Sequence, residues 1–243
     1  MAGFFYQLGK KVSPNVRKVR WVWQSFFGSE AEMIAAEIEV GKGLAREVRA
    51  QTPCCKDKET QDFVTQIGAD LAQCLKEKRR SFVITVVDDL KPNAFALPGG
   101  YVFITRSILD LCGREPGQVA FVLAHEMSHI TKGHTMERIV MGSAVTIVSN
   151  IATLRAAMVG WVRKAGVDAV QSVYSRAQEL EADALATALI HAAGYDPAAG
   201  ERLLAGLAKQ CPGSEPNGYR KYFSTHPDSS VRIAEIRRIR AKL

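Results

Sequence analysis

The feature that most constrains this chain is a pair of histidines four residues apart with a glutamate directly after the first: His125-Glu126-Met127-Ser128-His129. On an α-helix, residues four apart lie one turn apart on the same face. His125 and His129 therefore offer two imidazole nitrogens to one ion only if this stretch is helical. The flanking residues predict that it is. Pro116 suits a first helical turn, Val119, Val122 and Leu123 supply an apolar face, and Gly133 follows as a stop signal. Glu126 then stands beside the first ligand, placed to take a proton from an attacking water. The pattern is the one used in zinc-dependent peptide hydrolysis. It is also short enough to arise by chance, so its meaning depends on further ligands elsewhere in the chain.

Zinc in a catalytic site takes three protein ligands and leaves one position for water. The residues after His129 exclude one way of completing the set. A glycine three residues on and a histidine three further would mark the metzincins, and those positions are Lys132 and Thr135. His134 lies roughly 140° round the helix from His129 and reads as a hydrogen-bonded partner behind the site. The other source is the run YSRAQELEADALA at 174–186. Glu179 and Asp183 are one turn apart there, so Glu179 can reach the ion while Asp183 accepts the N–H of a ligand imidazole, fixing its tautomer. Glu181 points roughly 200° away from Glu179 and off this face.

The rest of the chain bounds the setting. Its 243 residues suffice for a full core, and 47% hydrophobic with 23% charged residues is ordinary globular usage. The net charge of +7 is concentrated at the ends. Residues 1–28 carry Lys10, Lys11, Arg17, Lys18 and Arg20, no acid, and interleaved aromatics including Trp21 and Trp23. They form a basic-aromatic arm that either packs on the domain or anchors at an anionic membrane surface; residues 29–243 form the catalytic domain. No nucleic-acid-binding motif accompanies the charge, so no nucleic-acid partner is expected. The five cysteines form no CxxC pair. They argue against a disulfide framework and fit a reducing, cytoplasmic compartment. No secretory signal peptide is recognisable.

Along the chain, Ser29 with Glu32 is a capping-box signature for a helix to about Gln51. A second helix covers about 60–78, and the β-branched run at 81–87 predicts a strand. Ala94, Phe95, Ala96 and Leu97 precede Pro98-Gly99-Gly100, a sharp turn into a second strand at 101–105. Residues 139–154 carry no charge. They are too few and too polar to span a bilayer, and predict a helical flap over the cleft. A long helix is expected over 166–193, another from Asp196-Pro197 to about Gln210, and a basic helix at the C-terminus. The fold class is α+β, mostly helical with a small sheet.

Four matches in order carry a resemblance to a known family: HExxH at 125–129, Ser175-Arg176-x-x-Glu179-x-x-Ala182-Asp183, Thr225-His226-Pro227 with Arg232, and the segment NAFALPGG at 93–100. Over roughly residues 60–240 the chain resembles the zinc metallopeptidases that include HtpX, BepA and the CAAX prenyl endopeptidases. The resemblance implies a gluzincin fold and endopeptidase activity on polypeptides, with one zinc per chain. It implies that Glu179 is the third ligand beside His125 and His129. It also implies that Asn93, Ala94, Phe95, Ala96 and Leu97 form an edge strand pairing with the substrate backbone. His226 is a candidate donor to the oxyanion of the tetrahedral intermediate; in some relatives the equivalent histidine sits at the metal and blocks it. The chain departs from the integral-membrane members in lacking clear spanning helices. That favours a role in protein quality control over prenyl-protein processing. A client-holding or membrane-surface binding protein on the same fold is the competing expectation.

Overall fold

The computed structural model describes residues 29–143, 151–167, 171, 173–210, 226 and 229–243. The basic-aromatic arm at 1–28 lies outside the described residues. The first helix, α1 (Glu30–Gln51), begins with the expected capping box: the Ser29 hydroxyl accepts from Glu32 N–H and the Glu32 carboxylate accepts from Ser29 N–H. Next comes α2 (Lys58–Cys74), capped by Asp57. It ends earlier than the sequence suggests, at Leu75 in extended backbone, and the Lys78 ammonium donates to the carbonyls of Ala72 and Gln73.

A three-stranded sheet follows, in the order β1 (Val83–Val87), β3 (Tyr101–Thr105), β2 (Ala94–Leu97). β1 runs parallel to β3, whereas β2 is antiparallel to it and forms an edge. The turn between β2 and β3 requires glycine. Gly99 has φ 76° and Gly100 φ 111°, and a Cβ on Gly99 would fall 2.5 Å from the Ile38 Cα on α1.

A short helix, α3 (Arg106–Leu111), leads to α4 (Pro116–Thr131), which carries the two histidines. The apolar positions of α4 are not confined to one face, and the helix is buried on all sides from Val119 to Ile130. It packs against α2, β2, α7 (Arg176–Ala192) and α8 (Ala199–Gln210), forming the centre of the larger core with Val64, Leu71, Ile104, Ile190 and Leu204. Gly133, at φ 78°, turns the chain into α5 (His134–Ser143).

The uncharged stretch is described only at its ends. Its middle, 144–150, where the expected flap falls, lies outside the described residues. The helix that follows, α6 (Ile151–Ala165), packs on α1. Leu154, Met158 and Val162 recur at four-residue spacing and bury against a second cluster with Val40, Leu44 and Val48. The ion pairs Arg155–Glu39 and Arg163–Glu47 flank this contact at one constant offset, so α1 and α6 run in the same direction.

The long helix expected over 166–193 starts only at Arg176. Ser175 and Gln178 form a reciprocal capping box that fixes this start. The last helix is α9 (Ser229–Arg240). No described helix is long and apolar enough to cross a membrane.

Candidate metal centre

The HExxH turn sits at the buried middle of α4, and the facing turn of α7 brings Glu179 and Asp183 to it. His125 Nε2 and His129 Nε2 are 3.0 Å apart. Glu179 Oε1 is 3.3 Å from His129 Nε2. His226 Nδ1 lies 3.0 Å from Glu179 Oε1 and 3.3 Å from His125 Nε2. Zinc with bonds of about 2.0–2.1 Å needs donors about 3.3 Å apart at the corners of a tetrahedron. His125, His129, Glu179 and His226, all buried, bring one donor atom each within 4.8 Å of one another, with four of the contacts at 3.0–3.3 Å.

The surrounding bonds aim the imidazole lone pairs inward. His125 Nδ1 is 2.9 Å from Asp183 Oδ1, which accepts its proton and leaves Nε2 bare. His129 Nδ1 faces His134 Nδ1 at 3.0 Å; His134 is the expected hydrogen-bonded partner behind the site, brought there by the Gly133 turn at the start of α5. Two bare nitrogens at 3.0 Å would repel each other without a cation between them. The donor chemistry and spacing thus fit a zinc ion held by His125, His129 and Glu179, with His226 at the fourth corner.

The electrostatics favour an ionised Glu179 and a neutral His129. Burial alone would raise Glu179, yet His226, Arg232 and His125 around it hold its carboxyl well below the usual range. Burial would raise Asp183 too, but Arg232 and His125 outweigh it and leave its carboxyl lowered. For His125, burial and the Arg232 charge pull downward, but Glu179 and Asp183 outweigh them and raise it. Burial takes His129 well below its ordinary value and keeps it neutral, the form that binds metal.

Arg232, fully buried on α9, joins these groups. Its Nε and Nη2 donate to the two oxygens of Asp183 at 2.7 and 2.8 Å. Its Nη1 lies 3.1 Å from Glu179 Oε2, off hydrogen-bonding geometry. Glu126 is different. Both its oxygens are buried without a hydrogen-bond partner among the described residues, and Oε1 is 3.5 Å from His226 Nε2. A buried carboxylate left unsatisfied costs free energy and marks an expected partner such as water. Glu181 faces away from the donors, held by Lys132 at 2.8 Å and near His134 at 3.4 Å.

Three further residues join the site without having been singled out in the sequence. The Tyr174 ring stacks on His129 at 3.6 Å between centroids, tilted by only 9°. The Arg138 guanidinium lies over the Tyr174 ring, 4.3 Å from its centroid. Arg138 Nη2 also donates to the carbonyl of Ala96 at 2.9 Å. At the other end of β2, Asn93 Nδ2 donates to Gln171 Oε1 at 2.9 Å. Ala94, Phe95, Ala96 and Leu97 are all buried in this arrangement. One signal for Arg138 was present: it stands four residues after His134, on the same face of α5.

A helix-borne HExxH pair completed by a glutamate from a second helix defines a metallopeptidase centre of the gluzincin class. The chain belongs to peptidase family M48, whose sequence profile matches residues 58–240. It is 34% identical over 152 residues to the mitochondrial metalloendopeptidase OMA1 of Schizosaccharomyces pombe, a match covering 62% of this chain and 44% of that protein. It is 28% identical over 218 residues to a putative beta-barrel assembly-enhancing protease of Vibrio cholerae, covering 84% of this chain and 44% of that one. The beta-barrel assembly-enhancing protease of Escherichia coli is 26% identical over the same length. The chain spans less than half the length of these curated relatives.

Proposed function

We propose that this chain is a zinc-dependent endopeptidase that cleaves polypeptides in protein quality control. The observation that carries the reading is the buried set of four donor atoms within 4.8 Å of one another, close enough to share one ion, beside an unsatisfied Glu126. His125, His129 and Glu179 would hold the ion. Zinc bound there would lower the pKa of water toward 7 and polarise the scissile carbonyl. Glu126 takes the proton of the attacking water and returns it to the leaving amine. Asp183 holds His125 in the ligand tautomer, and Arg232 holds Asp183.

In this reading the arrangement is a closed form, because His226 stands at the corner that water and substrate need. Released from that corner, its imidazole would be the donor to the oxyanion; in the closed form its Nε2 lies 3.5 Å from Glu126 Oε1. The substrate is an extended backbone added to the β2 edge at Ala94, Phe95, Ala96 and Leu97, with Asn93 leading in. The domain is proposed as 29–243, with the arm at 1–28 making peripheral membrane contact. A reducing compartment is proposed from the free thiols of Cys54, Cys55, Cys74 and Cys112. The OMA1 relatives, named as mitochondrial, attach the same peptidase class to another location.

Metal analysis together with casein cleavage tests the assignment. Glu126→Gln should keep about one zinc per chain, because three ligands remain, and lose cleavage. Undiminished proteolysis in that variant would remove Glu126 as the base. A chain that holds casein without zinc or cleavage would point to the client-binding alternative.

A further inference from the structure

The edge strand is already engaged by the protein itself. In the antiparallel pair of β2 and β3, Thr105 N–H donates to Asn93 C=O directly opposite it. Hydrogen-bonded and non-hydrogen-bonded pairs alternate in such a ladder. Phe95 and Leu97 therefore bond to β3, while the backbone groups of Ala94 and Ala96 point away from it, to the side where a further strand would add. The outward carbonyl of Ala96 accepts from Arg138 Nη2 at 2.9 Å.

That contact obstructs an added strand in two ways. It fills an acceptor that an incoming N–H would use. It also places a guanidinium inside the gap of about 4.8 Å that separates paired strands. A carbonyl has a second lone pair, but the incoming backbone and the guanidinium need the same space. Arg138 is also held from behind. It lies over the Tyr174 ring, and Tyr174 stacks on the ligand His129. Its helix is tied to the site by His134 on His129, and by Glu137, which accepts from Gln178 Nε2 at 2.9 Å.

We infer that Arg138 is an internal competitor for the substrate backbone, a latch on the outward carbonyl of Ala96 that an extended polypeptide must displace to dock on β2. The inference rests on the peptidase reading for its substrate and deepens it. It sets an affinity cost at the edge strand, separate from His226 at the metal. Displacement moves the cation off Tyr174 and exposes a ring stacked on a metal ligand, so docking and the metal site are in contact through one side chain.

The test uses the zinc-loaded full chain and a fluorescent casein peptide, read both as cleavage kinetics and as binding anisotropy in a Glu126→Gln background. Arg138→Met keeps a long stem over Tyr174 and removes the donor. It should lower KM, and Kd in the inactive background, by about tenfold, the equivalent of about 1.4 kcal/mol. Arg138→Lys restores a charged donor and should return KM toward the wild-type value. A merely structural arginine would instead give a lower melting temperature with kcat and affinity both falling. Unchanged or weaker peptide binding in a folded Arg138→Met protein overturns the latch. If that variant does not fold, the shorter uncharged Arg138→Gln is read by the same criteria. Tighter binding in Arg138→Met without any cleavage by the zinc-loaded wild type would sink the peptidase reading and support the latch. No peptide binding to any variant overturns the latch.

Discussion

Arg232 is the residue on which the site depends most without touching the expected ion. Its guanidinium satisfies both oxygens of Asp183 and lies against Glu179, three charged groups with almost no access to water. Removing one partner of such a group leaves buried charge uncompensated, at about 3–5 kcal/mol. Arg232→Ala should therefore lower the melting temperature sharply. It should also weaken zinc binding, since Asp183 would no longer be held on His125; outer partners of this kind are worth about 10–100-fold in metal affinity. Asp183→Asn should show the metal defect with a smaller loss of stability. Equal melting curves for wild type and Arg232→Ala would show that the network is not structural. Much of this site was legible in sequence, because helix geometry puts His125 with His129 and Glu179 with Asp183 by arithmetic. Tyr174, Arg138 and Gln171 were not. Tyr174 and Gln171 lie ahead of α7, where no helical period applies, and the four-residue step from His134 to Arg138 puts these two on one face of α5 without showing that the guanidinium meets Ala96 and Tyr174.

At the scale of elements, α1 is docked on the turn before β3 by the absence of a side chain. A Cβ on Gly41 would come 1.9 Å from the Pro98 carbonyl oxygen, a backbone atom that cannot swing aside. Gly41→Ala should therefore destabilise despite its better helix propensity, by at least the 1–3 kcal/mol typical of overpacking. Gly206, inside α8, meets nothing within 4 Å. Gly206→Ala should stabilise by about 0.4–1 kcal/mol through the unfolded chain. Denaturant titration of the two variants checks the opposite signs, and a stable Gly41→Ala protein would refute the close docking. The helices and strands themselves were largely readable, down to the capping box at Ser29. The start of α7 was misplaced because 166–175 continues a helix-compatible run, and only the reciprocal Ser175–Gln178 bonds decide the boundary. For the uncharged stretch 139–154 the apolar residues show only that a face will be buried; at its later described end, the start of α6, the surface of α1 decides where.

For the whole molecule, the candidate centre joins parts distant in sequence: α4 supplies His125 and His129, α7 supplies Glu179, and His226 comes from just before α9. Without a cation this leaves neutral and anionic donors crowded in a buried volume. An ion bound only by the native state adds RT ln(1 + [L]/Kd) to stability, about 4 kcal/mol at a thousandfold excess over Kd. For a chain of this size each kcal/mol moves the melting temperature by about 2–4 °C. Stripping zinc with a chelator should therefore lower it by roughly 8–16 °C, recovered on adding zinc back. The variants separate ligand from bystander. Glu179→Ala, short of one ligand, should melt near the stripped wild type and respond little to zinc. Glu181→Ala should behave as wild type, since Glu181 is held by Lys132 and His134 away from the donors. His226→Ala should keep most of the zinc response, because three ligands suffice for a catalytic ion. The decisive comparison is between the two glutamates: zinc-dependent melting lost in Glu181→Ala and kept in Glu179→Ala would mean that the ion binds on the other side of α7.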